Sequence, residues 1–248
     1  MKKNILFSLL GATLLIGCTE VGKVLDTANS VVGTTGTQEK KLTNDQVIQG
    51  LKEALSVGTN NSSASASKLD GFNKNPLIHI PFPPDAIKVK EKVEALGMKG
   101  QVDKFVETMN RGAEESAKEA APIFLNAITT MSIADGFNIL NGTDSAATTY
   151  LRDKTSDALY SAFKPKVQNA LKTVKLTEYW NPIITKYNTV TAMAGGEKVN
   201  PDLDDYVTKG AMKGLFRLIS DEEKKIRKDP MARVSDILKT VFGSLDNK

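Results

Sequence analysis

From Thr43 onward the apolar residues of this chain recur mostly every three or four positions, and no segment makes a convincing period-two strand. The clearest run is Val102, Phe105, Val106, Met109, Ala113, Ala117 and Ala120. Steps of three and four put them on one side of an α-helix, so the segment must bury a stripe against other helices. A half-buried strand needs strict alternation, and no segment free of prolines sustains it. The sequence therefore predicts an all-α fold: a compact multi-helix domain over 43–243, of about nine helices, with one proline-rich extended arm. It contains no internal repeat, no heptad run and no strand–Gly-loop–helix unit.

Local signals place the boundaries. Thr43 or Asn44 caps a first helix through Val47, Ile48, Leu51, Ala54 and Leu55. Residues 60–67 are small and polar, and read equally as loop or weak helix. In Asn75–Pro84, prolines 81, 83 and 84 exclude a helix and remove ladder donors, which leaves an edge strand or a packed arm. Asp85 opens a helix that Gly97 closes. Pro122 interrupts the long stripe and starts a segment to Met131. Ser132 and Asp135 form a capping-box variant, and Gly142 suits the left-handed position after that helix. Thr143 or Asp144 caps the next one, which Pro165 breaks or kinks. Thr177 caps a segment with Trp180, Ile183 and Ile184. Leu203 to Ile219 is a further stripe. Asp229-Pro230 opens a last helix through Met231, Val234, Leu238 and Val241.

The first 42 residues are of another kind. Met1-Lys2-Lys3-Asn4 precedes an apolar run, Ile5 to Ile16, that is shorter than the roughly 20 residues a bilayer span needs. A basic start and a short apolar segment read as a signal peptide over 1–17. It ends Leu15-Ile16-Gly17-Cys18, which resembles the lipobox of bacterial lipoproteins. Cys18, the single cysteine, would then be the acylated mature N-terminus, joined to the membrane by two or three chains. Residues 18–42, rich in Thr, Gly, Val and Ser, read as a tether. A flexible chain of roughly 25 residues spans about 25–30 Å. Residues 244–248 are a tail. Thr19 is not the aspartate that retains enteric lipoproteins in the inner membrane, so the outer membrane is favoured, facing periplasm or surface. Formal net charge is +4. Lys2 and Lys3 leave with the leader, so 31 basic side chains then face 29 acidic ones, a balance of +2 that predicts no anionic polymer as partner.

Ten short motifs come in a familiar order. They are Leu51-Lys52-Glu53-Ala54-Leu55, Gly71-Phe72-Asn73-Lys74-Asn75-Pro76, Ile80-Pro81-Phe82-Pro83, Met109-Asn110-Arg111 and Ile139-Leu140-Asn141-Gly142. Then follow Ala146-Ala147-Thr148, Asp204-Asp205-Tyr206-Val207-Thr208, Gly214-Leu215-Phe216, Glu222-Glu223-Lys224-Lys225-Ile226-Arg227 and Asp229-Pro230-Met231-Ala232-Arg233. Together they resemble the bacterial domain-of-unknown-function family 4197, over nearly all of the chain after the tether. The resemblance implies secreted or lipid-anchored helical envelope proteins, and it brings no catalytic residues.

The polar members of these motifs are the candidate binding residues: Asn110, Arg111, Glu114, Tyr150, Arg152, Asp205, Tyr206, Glu223, Arg227 and Arg233. Converging on one polar cleft, they could grip a phosphate, sugar or carboxylate through bidentate guanidinium contacts. Paired carboxylates there could also do acid–base work, as in glycoside hydrolysis. The alternative is interhelical ion pairs and caps, which perturb side chains in the same way. His79, the single histidine, lacks a placeable nucleophile and reads as packed or surface. One cysteine and one histidine build neither an internal disulfide nor a Cys/His zinc site. Asp202, Asp204 and Asp205 lack calcium-loop spacing and fit an acidic first helical turn. No cofactor, no metal and no nucleic acid are implied.

Three readings of function follow. The first is a lipid-anchored envelope protein with a non-catalytic binding, assembly or structural role, whose polar motif residues pair with each other and leave no open pocket. The second is an envelope hydrolase, with a cleft near Glu114 and a carboxylate of raised pKa. The third is a carrier of an apolar or lipid ligand between helices.

Overall fold

Some helices in this protein start where a side chain satisfies a free amide, and others start on backbone turns alone. The computed structural model describes residues 43–243 apart from 174, 194, 196, 197, 201 and 234. The expected signal peptide, Cys18, the tether and the tail lie outside the described residues. Helix α1 (Asn44–Ser67) opens on a reciprocal capping box: the Thr43 hydroxyl accepts from the Gln46 N–H, and the Gln46 side chain accepts from the Thr43 N–H. It continues through the small polar stretch that the sequence left open. Ser62, Ser63 and Ala66 are buried there, so small side chains serve close packing rather than a loop.

Residues 68–83 follow as turns and then an extended arm, with no ladder partner. A 3-10 turn (Pro84–Ala86) leads into α2 (Ile87–Ala95). Gly97, at φ +82°, closes it in the left-handed region that glycine enters freely. No α2 residue is buried; Val89 and Val93 only lean on the core.

The long stripe is divided between α3 (Lys99–Ala117) and α4 (Ala120–Thr129). The break falls at residues 118–119, not at Pro122. That proline sits in the first turn of α4, where its missing N–H would have had no helical acceptor. Helix α5 (Ile133–Leu140) opens on the expected Ser132–Asp135 box. Helix α6 (Ala146–Leu171) runs through Pro165 without ending. Phe163 and Val167, either side of the proline, are fully buried, and their burial outweighs the lost hydrogen bond. Helix α7 (Lys175–Met193) already includes Thr177, which is therefore not its cap. Helix α8 (Leu203–Lys228) starts with the Asp202 carboxylate accepting from the Asp205 N–H. Asp229 caps only a 3-10 turn (Pro230–Ala232), and α9 (Asp236–Gly243) follows as a separate piece.

The described residues are all-α, with no strand among them. Helices α3, α6 and α8 pack on one another, and α1 crosses α8 and α4. Phe105, Met109, Leu151, Leu159, Phe163 and Leu215 fill the centre and are completely buried. A Cβ added at Gly112 would lie 3.1 Å from the Ala170 Cβ, so α3 and α6 meet almost backbone to backbone. The arm is pinned by an aromatic cluster. Phe82 lies 5.3 Å from Phe105 and 5.7 Å from Trp180, and Phe105 stacks on Trp180 at 5.5 Å. No single described helix is long and apolar enough to cross a membrane.

Candidate functional site

Helix α3 presents Asn110, Arg111 and Glu114 towards the start of the arm. The Glu114 carboxylate is nearly buried. One oxygen accepts from the Phe72 and Asn73 N–H groups at 3.1 and 3.0 Å, and the other from Arg111 at 2.8 Å. Arg111 also reaches Asp70 at 2.7 Å. Asp70 has φ +63°, a left-handed backbone that aspartate adopts more readily than most residues. Hydrogen bonds from Lys74 and Arg111 hold its carboxyl at about 2. Glu107 is also lowered, chiefly by Lys104. Asn110 is wholly buried and saturated. Its oxygen accepts from the Ile80 N–H at 2.8 Å, and its amide donates to the Ile80 and Val106 carbonyls, each at 2.9 Å.

A second group sits where α5 ends and α6 begins. The buried Glu223 of α8 accepts from the Ala147 and Thr148 N–H groups at 3.0 and 2.9 Å, and from the Thr148 hydroxyl at 2.7 Å. A carboxylate 76 residues away in sequence thus caps α6, in place of the expected Thr143 or Asp144. Arg227 donates to Glu223 at 3.0 Å and to the Ile139 carbonyl at 2.8 Å, and so closes the end of α5. Gly142 lies between these ends but is not left-handed. A Cβ there would fall 2.6 Å from the Ala146 Cβ and 2.8 Å from the Asn138 carbonyl oxygen, so the position needs space rather than an unusual φ. Arg233, also buried, donates to the Ile226 and Arg227 carbonyls, each at 3.0 Å, closing α8.

The remaining candidates stand apart. The Tyr150 hydroxyl donates to the Ala127 carbonyl at 3.3 Å, and burial pushes its pKa up. The Arg152 guanidinium lies 5.2 Å from the centre of the Phe216 ring. Burial pushes the Asp205 carboxyl up, but hydrogen bonds from Lys209 and Tyr160 bring it below its ordinary value. The Tyr206 hydroxyl donates to the Pro81 carbonyl at 3.1 Å. His79, exposed, lies 3.0 Å from the Asn73 carbonyl oxygen.

The ten candidates therefore do not meet in one cleft. Each instead holds a backbone group or a side chain of a neighbouring element, most of them beneath the arm, at the α5–α6 junction or along α8. Sequence reasoning missed Asp70, whose ion pair depends on a turn that no local pattern announced. It also missed the concave surfaces. One, of about 440 Å³, lies between α4, α5 and α6 beside Asn126, Asp135, Tyr150 and Lys154. The larger, of about 700 Å³, opens between the arm and α8. Its existence departs from the expectation of no open pocket. Among the described residues no group of three His, Cys, Asp or Glu is placed to hold a metal ion.

The chain belongs to the family described as Protein of unknown function (DUF4197), whose pattern matches residues 41–243 and so takes in the whole helical domain. No curated protein and no solved structure matches it.

Proposed function

We propose that this is a lipid-anchored protein of the bacterial cell envelope, held through Cys18, with a binding or assembly role and no catalytic step. One observation supports the non-catalytic reading above others: the carboxylates and guanidiniums that chemistry would need are committed to main-chain groups. Glu114 and Glu223 each accept two backbone N–H bonds, and Arg227 and Arg233 each donate to backbone carbonyls. A general acid must keep its proton near neutral pH, which calls for a raised carboxyl. Asp70, Glu107 and Asp205 are shifted the other way.

The anchor rests on the Leu15-Ile16-Gly17-Cys18 sequence behind a short apolar leader. Intact-mass spectrometry of the mature protein tests it. The expected product begins at Cys18 and carries the mass of two or three acyl chains. An unmodified Cys18, or cleavage elsewhere, overturns it. Fractionation then assigns the membrane, with the outer one expected. A carrier of an apolar or lipid ligand is the second reading, favoured by the cleft between the arm and α8.

A further inference from the structure

The arm–α8 cleft has two chemically different sides. One is the arm, whose Leu77, Pro81 and Pro84 are exposed apolar surface. The other is α8, which sets Lys209, Lys213 and Arg217 one turn apart along the rim. At 1.5 Å per residue that ridge is about 12 Å long. Two of its cations are already engaged: Lys209 holds Asp205 at 2.9 Å and Arg217 holds Asp221 at 3.0 Å. Lys213, between them and exposed, has no partner among the described residues.

The apolar side is preformed. Both polar groups of Ile80 are bound by Asn110, and Tyr206 ties down Pro81. The arm lies so close on α8 that a Cβ at Gly214 would sit 2.6 Å from the Phe72 ring and 3.0 Å from the Ile78 Cβ. A fixed wall removes ordering cost from binding. A volume of about 700 Å³ falls within the usual range for ligand sites.

We infer that this cleft binds an anionic amphiphile, with its single acidic head on Lys213 and its hydrocarbon body along the proline wall. The inference rests on the binding reading above and names its site and ligand class. One unpaired cation between two engaged ones suits one compact acidic head better than an extended polyanion. Apart from His79 and Asp85, the arm lines the cleft with apolar side chains, a surface that a hydrocarbon body covers and a bare inorganic anion does not. The head can be a carboxylate or a phosphate monoester, since a lysine recognises both as a point charge.

The test uses the full chain in phosphatidylcholine vesicles and three diazirine photoprobes: a long-chain fatty acid, its methyl ester and a lysophosphatidic acid. The acids are expected to label peptides of the arm or α8 at least about tenfold more than the ester, as loss of a charge-assisted contact would give. Lys213→Glu brings acid labelling down to the ester's level, Lys213→Gln brings it part of the way, and Lys224→Glu, on α8 but outside the cleft, leaves it unchanged. Unaltered far-ultraviolet dichroism shows that each variant folds. Labelling by only one acid identifies the head group and supports the proposal. Equal labelling by acid and ester, or labelling indifferent to Lys213, overturns it. Acid-specific labelling elsewhere overturns this site while sparing the wider binding reading. No labelling on a protein whose Cys18 is acylated overturns the inference and leaves the anchor standing.

Discussion

Glu114 with Arg111 and Glu223 with Arg227 use the same parts to different ends. Each carboxylate shares a helix with its arginine, and each takes two N–H groups from a segment far away in sequence. The surroundings differ. The Arg111 side chain is 30% exposed and divides itself between Glu114, Asp70 and Glu107. The Arg227 side chain is 10% exposed and spends its other donors on the carbonyls that end α5. One pair fastens a surface turn where water can substitute. The other joins the end of α5 to the start of α6, where water cannot. An ion pair's contribution is thus set less by its own geometry than by what stays unsatisfied when it is broken.

Breaking the buried junction should have the largest effect. Glu223→Ala strands two N–H groups, a hydroxyl and a buried guanidinium, and should lower unfolding free energy by about 3–5 kcal/mol in urea titration. Glu223→Gln should recover part of that, since its amide oxygen still accepts. Glu114→Ala should lose about 2–3 kcal/mol, because Arg111 keeps Asp70 and solvent. Equal losses at the two sites would break the comparison.

Acid and salt sharpen it further. The Asp70 carboxyl is depressed from 3.8 to about 2, so its contribution is complete above the ordinary value and disappears as pH falls through about 2. Denaturation midpoints should therefore drop over that window, and Asp70→Asn should flatten the drop. Near 1 M salt, where screening acts within about 3 Å, the half-buried Asp70–Arg111 pair should weaken more than the deeper Glu223–Arg227 pair.

The smallest effect should come from a hydroxyl that belongs to neither network. Thr208 is completely buried, and its hydroxyl has no partner. Thr208→Val keeps the shape and should be neutral, or stabilising by up to about 1 kcal/mol in the same titration. A clear loss of stability would mean the hydroxyl is bound in solution.

The all-α architecture was readable because helix periodicity and most capping are local. The Thr43 cap, the Ser132 box and the stop at Gly97 all act within a few residues of themselves. Errors arose where tertiary packing decided. Pro165 reads locally as a break or a kink, and buried Phe163 and Val167 carry the helix past it without a break. Thr143 and Asp144 looked like caps for α6, yet the cap is Glu223, and nothing in the intervening sequence links the two. The same limit explains the candidate residues. Spacing along α3 shows that Asn110 and Glu114 share a face, but not that this face meets residues 70–80 rather than a ligand. The cleft was not legible either, because it forms between an irregular arm and a helix, and a periodic pattern describes only the helix.

The arm has one more consequence, for how the protein behaves in a crowd. An extended segment on a surface usually offers amides and carbonyls to which another chain can add itself as a strand. Here Pro81, Pro83 and Pro84 have no amide hydrogen to offer. Asn110 occupies both polar groups of Ile80, and Tyr206 occupies the carbonyl of Pro81. The proposed lipid anchor would concentrate copies of the protein on a membrane at high local density. This arm can remain extended there without serving as a template for aggregation.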